Sequence, residues 1–244
     1  MIIDVSNTIG RHKFKPEITA EELLRQMDVA GVDMAVIFCY PECLDNESVY
    51  RAIKAYPNRF IGLYTVNPWQ DNAVEELEDA IKNKGFKGLY MHPLRHGYML
   101  TERLVFYPLL DVCRKYGVPV WCYGSADVSN CPVLFNQMAE DYPDVNFIMG
   151  RMGQAYDTAS AVEVAKRYPN VYLETAAGMD FHAHRAMKTA GIDKVMIGTG
   201  TPDCNYFELE LAKVRNAAKN YPDGEEKVLW RNAARIFHVE VNER

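Results

Sequence analysis

The densest run of chemically capable side chains is Tyr90-Met91-His92-Pro93-Leu94-Arg95-His96-Gly97-Tyr98. Histidine exchanges protons near neutral pH, arginine clamps anions, and a phenol donates or accepts a hydrogen bond. The segment reads as a proton-transfer and anion-binding loop, with His92 the catalytic candidate and Arg95, His96 and Tyr98 as substrate contacts; the alternative for His92 is an ordinary loop residue. His182-Ala183-His184 is the chain's one His-x-His, and with Asp180 or His92 it would make a metal site. It stands at what looks like the opening of a helix, where residues two apart point to different faces, and that weighs against shared ligation. Cys39 and Cys43 lack a second pair to complete a metal set. Asp203, after Pro202, is either a base or a turn and helix-capping residue, and the capping reading is favoured. His12 and His238 lie outside any such grouping and read as surface residues.

These side chains need a scaffold, and the hydrophobic pattern supplies one. Short apolar runs at 1–5, 33–38, 60–64, 88–91, 118–122, 145–149, 171–174 and 194–198 are rich in β-branched or aromatic residues. The segments between them nearly all hold a helix, so the runs read as parallel strands. Eight such strands predict a single α/β domain over residues 1–244, a (β/α)₈ TIM barrel whose site is built where the strands end. Thr19 followed by Glu22 predicts a capping box and a first helix closed by Gly31. Asn46 opens a second helix stopped by Tyr56-Pro57, and Asp71 or Asn72 caps a third that ends at Gly85. Further helices are predicted over 106–116, 133–141 and 160–167. The connections after the fourth and fifth strands, 92–105 and 123–132, are long, and long loops on one face concentrate binding residues.

Composition narrows the function classes. A net charge of −6 argues against a nucleic-acid surface, which needs clustered Lys and Arg. No apolar run approaches the roughly 20 residues of a membrane span, and the N-terminal residues lack the basic-then-apolar order of a signal peptide. The six cysteines show no Cys-x-x-Cys pair, so they read as free thiols in a reducing cytoplasm. The expected partner is a small anionic molecule, without nucleic acid or membrane. A homodimer is expected on the base rate for soluble oligomers, with Trp69, Tyr107 and Trp230 as candidate contact residues.

Several strand ends and the tail carry a resemblance. Ile3-Asp4-Val5-Ser6-Asn7-Thr8, Pro119-Val120-Trp121-Cys122-Tyr123-Gly124, Phe147-Ile148-Met149-Gly150-Arg151-Met152-Gly153, Val171-Tyr172-Leu173-Glu174-Thr175, Ile197-Gly198-Thr199-Gly200-Thr201-Pro202 and Asn232-Ala233-Ala234-Arg235-Ile236-Phe237 occur in family order along the chain. They resemble the amidohydrolase-related superfamily, in particular the branch of metal-dependent hydrolases that includes aminocarboxymuconate-semialdehyde decarboxylase. That resemblance implies a metal held by an Asp-x-His-x-His run on strand one, a His after each of strands five and six, and an Asp on strand eight, with a bound water as nucleophile.

Here the ligand positions fall on Ser6, Thr8, Tyr123, Arg151 and Gly200. Neutral hydroxyls are weak ligands, glycine has none, and a fixed cation repels a metal. Two unit charges about 4 Å apart interact by roughly 4 kcal/mol at intermediate dielectric, and a divalent ion doubles this. No metal and no other cofactor is expected.

The resemblance then implies a metal-independent hydrolase or lyase for a carboxylated substrate, with lactone opening or decarboxylation favoured. Arg151 is the electrostatic stabiliser, and His92 or Tyr123 moves the proton, the phenol acting as donor if Arg151 lowers its pKa. Arg95, His96, Tyr98, Ser6, Thr8, Glu174, Thr199 and Asp203 are expected to contact substrate. Against this stand three plainer readings: Arg151 paired with Glu174 as filler, Tyr123 as a hydrogen-bonding wall residue, which is the favoured reading of that phenol, and an inactive barrel that binds a ligand or partner.

Overall fold

The computed structural model describes residues 1–240. Among these residues, nine parallel strand segments run β1 (Ile3–Ile9), β2 (Met34–Cys39), β3 (Phe60–Gly62), β4 (Tyr64–Thr65), β5 (Leu89–Met91), β6 (Val120–Tyr123), β7 (Phe147–Gly150), β8 (Val171–Glu174) and β9 (Val195–Met196). β3 and β4 are halves of the predicted third strand, interrupted at Leu63. The Leu63 N–H reaches back to the Ile37 carbonyl at 2.9 Å, while the Tyr64 N–H reaches forward to that of Gly88 at 2.9 Å. At the other seam the N–H of Val5 donates to Ile197 at 3.0 Å, that of Gly200 to Ser6 at 2.8 Å and that of Thr8 to Thr201 at 2.8 Å. The sheet thus closes on itself as a (β/α)₈ barrel.

β1 runs further than its apolar residues suggest. It pairs with β2 through Asn7, Thr8 and Ile9, after a register shift between Asp4 and Asn7. Polar Ser6, Asn7 and Thr8 mask the strand in the sequence, yet their backbone belongs to the ladder.

Alternate residues face the barrel axis, as the two-residue period of a strand requires. Ile3, Val5, Val36, Phe38, Ile61, Leu63, Tyr90, Trp121, Ile148 and Met196 form the interior cluster, sealed at the N-terminal end by Ala233, Ile236 and Phe237 of the last helix. Phe38 stacks on Tyr90 with centroids 4.0 Å apart, and Trp121 lies 5.2 Å from Tyr90. These rings make an aromatic floor beneath the strands' C-terminal ends. Their neighbours Ile37, Leu89, Cys122 and Met149 face outward into the helical layer.

Helix ends largely follow the sequence signals. Thr19 Oγ1 accepts the Glu22 N–H at 3.2 Å and Gly31 closes α1 (Ala20–Ala30) in the left-handed conformation, although Glu22 turns to Arg25 instead of completing the box. The long connection after β5 contains a short helix, Pro93–His96, before the longer helix Arg103–Tyr116. Its Leu100 N–H donates to the Ser129 carbonyl at 3.0 Å, tying the two long loops together. Among the described residues, no helix is long and apolar enough to cross a membrane.

Trp121 crosses the barrel only because β7 offers no side chain at Gly150, where a Cβ would lie 2.0 Å from the indole ring. Gly150→Ala is expected to destabilise the fold by about 1–3 kcal/mol, the cost of overpacking a filled core, read as a lowered denaturation midpoint. An unchanged midpoint would show that the indole has room to move.

Candidate active site

Three adjacent strands deliver the central side chains. His92 follows β5, Tyr123 ends β6 and Arg151 follows β7. The imidazole lies flat on the phenol, centroids 4.2 Å apart and 14° between planes, and the guanidinium carbon sits 5.8 Å from the phenol centroid. Tyr123 faces inward because Trp121, two residues earlier, does so.

Arg151 breaks that parity. Ile148 and Gly150 face inward, so continued strand geometry would turn Arg151 out. Instead residues 151–155 all have positive φ, at 65°, 45°, 77°, 53° and 64°. Each non-glycine residue held in that region costs on the order of 1–2 kcal/mol. The left-handed turn swings the guanidinium across the barrel onto Gly200, where a Cβ would stand 2.1 Å from Nη1. Arg151 Nε has no hydrogen-bond partner, and no carboxylate lies within ion-pair distance of the guanidinium among the described residues. Glu174 does touch Arg151, but through the backbone, its Oε2 accepting the Arg151 N–H at 2.8 Å. Pairing of the two side chains, the filler reading, is not what the structure shows.

A cavity of about 180 Å³ opens here, lined among others by Thr8, Tyr90, His92, Arg95, Trp121, Tyr123, Arg151 and Asp203. Larger hollows of about 280 and 700 Å³ lie elsewhere and gather none of His92, Arg95 or Arg151. Arg95 stands exposed at the rim. Asp203 takes the Lys15 ammonium and does not cap α2 (Phe207–Ala218), whose N-cap is Tyr206.

The structure does not bring every expected residue to the cavity. Tyr98 is core, packed on Phe106 at 5.7 Å, because the loop folds inward there. His96 tethers the loop, its Nε2 donating to the Pro41 carbonyl at 2.9 Å while the Trp69 indole donates to its own carbonyl at 2.8 Å. Thr199 is buried in the seam, where its N–H meets Asp4 and its hydroxyl meets Thr201. Ser6 is buried with its hydroxyl unpartnered, and Glu174 lies beneath the cavity.

Conversely, His12 is not a surface bystander. It lines the cavity, edge-on to Tyr40 at 4.4 Å and with Nε2 3.5 Å from Glu42. Lys15, Tyr40 and Glu42 join it there. Their position just beyond the first two strand ends was the available signal. His182 and His184 take separate partners, the Met179 N–H at 3.1 Å and Asp180 at 3.5 Å.

Electrostatics fix the protonation states. Burial, then Arg95, His96 and Arg151, push His92 down to about 3, leaving a neutral imidazole. Tyr123 moves up, because burial outweighs the guanidinium beside it. The lowered pKa on which a proton-transfer role for Tyr123 was conditioned is therefore not found, and the phenol stays protonated. Burial also pushes Asp4 and Glu174 up to about 7.

A model of the amidohydrolase family matches residues 8–239. This chain belongs to the amidohydrolase family. Among solved structures, it is similar to an uncharacterised TIM-barrel protein from Bordetella bronchiseptica, at 19% identity and a TM-score of 0.80 over 97% of this chain and 98% of that one. It is also similar to 5-carboxyvanillate decarboxylase from Novosphingobium aromaticivorans, complexed with manganese and a nitrobenzoic acid, at 16% identity and 0.77 over 98% and 96%. A third is 4-oxalomesaconate hydratase from Rhodopseudomonas palustris, at 18% identity and 0.73 over 98% and 96%. No curated protein matches the sequence.

The residues at the amidohydrolase metal position do not fit a divalent cation. Gly200 offers no donor, Arg151 fills the space in front of it, and Ser6, Thr8 and Tyr123 supply only neutral hydroxyls. Among the described residues, no three His, Cys, Asp or Glu side chains converge to hold a metal ion.

The two buried acids set a pH dependence. A folded-state pKa above the unfolded one means that the native state binds the proton more tightly, so this stability is present at low pH and is lost as pH rises through about 7. Chemical denaturation is expected to show the fold gaining stability from pH 8.5 to 7, a window that stays above the unfolded histidine pKa of roughly 6.5, and Asp4→Asn is expected to flatten that slope. A slope unchanged in the variant would count against a raised Asp4.

Proposed function

We propose that this barrel is a small-molecule lyase or hydrolase for a carboxylated substrate, with decarboxylation or lactone opening as the reaction, working without a divalent metal. The observation that carries the reading is the unpaired Arg151 guanidinium lying against Gly200 at the head of an aromatic-floored cavity. The similarity to a decarboxylase and a hydratase supports it.

In decarboxylation the electron pair left by departing carbon dioxide must come to rest on an adjacent oxygen. Arg151 faces the cavity with free donors suited to that developing oxyanion, and no proton need be removed first. The apolar rings of Tyr90 and Trp121 strip water from a carboxylate, which favours its loss as a neutral molecule. The protonated Tyr123 phenol, beside the guanidinium, is the donor that would return a proton to carbon. Lactone opening needs a base for water, and His92, held near 3, is a weak one until a bound anion offsets Arg95 and Arg151. The protonation states therefore favour the lyase reaction. They also support a second reading, ligand binding without turnover, since neither His92 nor Tyr123 titrates near neutrality.

The test pairs binding with turnover on protein stripped by a chelator. Benzoate serves as the binding probe; β-keto acids, hydroxybenzoates and lactones serve as substrates. Arg151→Ala is expected to weaken benzoate by about ten- to a hundredfold, or ~1.5–3 kcal/mol for a lost charged hydrogen bond, with Arg151→Lys recovering only part. Turnover that appears only after manganese or zinc is added would overturn the metal-independent reading. Firm binding with no turnover across the panel would select the second reading.

A further inference from the structure

Glu174 presents an unexplained cost. It ends β8 facing the barrel interior, wholly buried, and no Lys or Arg side chain lies within ion-pair distance of it among the described residues. A buried carboxylate without a paired cation is expensive unless its hydrogen bonds repay it. Its two oxygens are divided between two loops: Oε2 accepts the Arg151 N–H at 2.8 Å, and Oε1 accepts the Ala176 N–H. Gly198 makes room for this, since a Cβ there would stand 2.3 Å from Oε1.

We propose that Glu174 is a positioning residue, its carboxylate clamping the ends of β7 and β8 so that the left-handed turn at Arg151 holds the guanidinium over Gly200. The proposal rests on the reading of Arg151 as the anion-binding group. Both carboxylate oxygens are required. A glutamine at 174 has one acceptor and one amide donor, so one of the two N–H groups loses its partner. Protonation has the same effect, because the added O–H is a donor facing an N–H.

The groups facing Glu174 are Arg151 from the turn after β7, Glu210 of the Glu210–Lys213 ion pair on α2, Asp4 from β1, Tyr123 from β6 and Cys204 from the loop after β9. Arg151 and the two N–H groups favour the carboxylate, while burial and Glu210 oppose it and bring its titration to about 7. The ionised form makes the clamp, so the clamp is lost as pH falls through that value. Anion binding should weaken from pH 8 to pH 6 even though benzoate stays ionised.

The experiment uses Glu174→Gln and Gly198→Ala, which disturb the clamp from opposite sides. Amide hydrogen exchange at Arg151 and Ala176, followed by NMR, is expected to quicken by about tenfold or more at one or both positions in each variant while the other strands keep their protection. Benzoate affinity at pH 8 is expected to fall about tenfold in Glu174→Gln, and its decline between pH 8 and 6 to disappear. Asp4→Asn, which removes the other acid titrating near 7, should leave that decline in place. Exchange unchanged at both amides in both variants, or a pH decline that survives Glu174→Gln, would overturn the proposal. If benzoate binds wild type and Arg151→Ala equally, the anion-binding reading fails, and the exchange measurement still decides whether Glu174 holds the turn.

Discussion

The two-residue alternation of the strands is the constraint on which the barrel mouth depends. It sends Tyr90, Trp121 and Ile148 to the axis, and one step later it sends Tyr123 and Glu174 to the rim beneath the loops. Everything that obeys the alternation is cheap to position. Arg151 does not obey it, and its place is secured by a left-handed turn, by a carboxylate on the next strand and by two missing side chains, at Gly198 and Gly200. The costly backbone of this mouth is thus concentrated at the residue that brings a buried guanidinium to the cavity.

Electrostatics complete the picture through exclusion of water. The same burial that keeps His92 neutral keeps Tyr123 protonated and brings Glu174 and Asp4 close to neutrality. Among the groups at the centre of the cavity, Arg151 alone keeps its charge whatever the pH of a living cell. Arg95 adds a second cation at the rim, while Lys15 is occupied by Asp203 and His12 faces Glu42. The positive field is therefore narrow and directed, as suits a small anion more than an extended surface.

The fold was legible because periodicity is a repeated signal: eight apolar runs with helix-length spacers leave little but a barrel. The polar end of β1 and the break at Leu63 were hidden, since both follow from ladder bonds that the sequence does not print. Arg151, Tyr123, His92 and Gly200 were legible as strand-end positions. The left-handed turn was not, because Arg, Met, Gln and Ala carry no preference for positive φ. Tyr98 and His96 misled for another reason. Composition marks a loop as chemical, but only packing decides which side chains in it point to the cavity.

The contact between Arg151 and Gly200 also sets what the two positions tolerate together. A side chain restored at 200 would enter the space of the guanidinium, and it would have to adopt a φ of 67° that suits glycine. Removing the arginine alone opens that space and leaves a glycine beside it. The two positions are therefore coupled: a side chain at 200 meets less resistance once Arg151 is gone than before, so the effects of the two substitutions do not add. The order in which the pair changes decides how much strain the barrel mouth must carry.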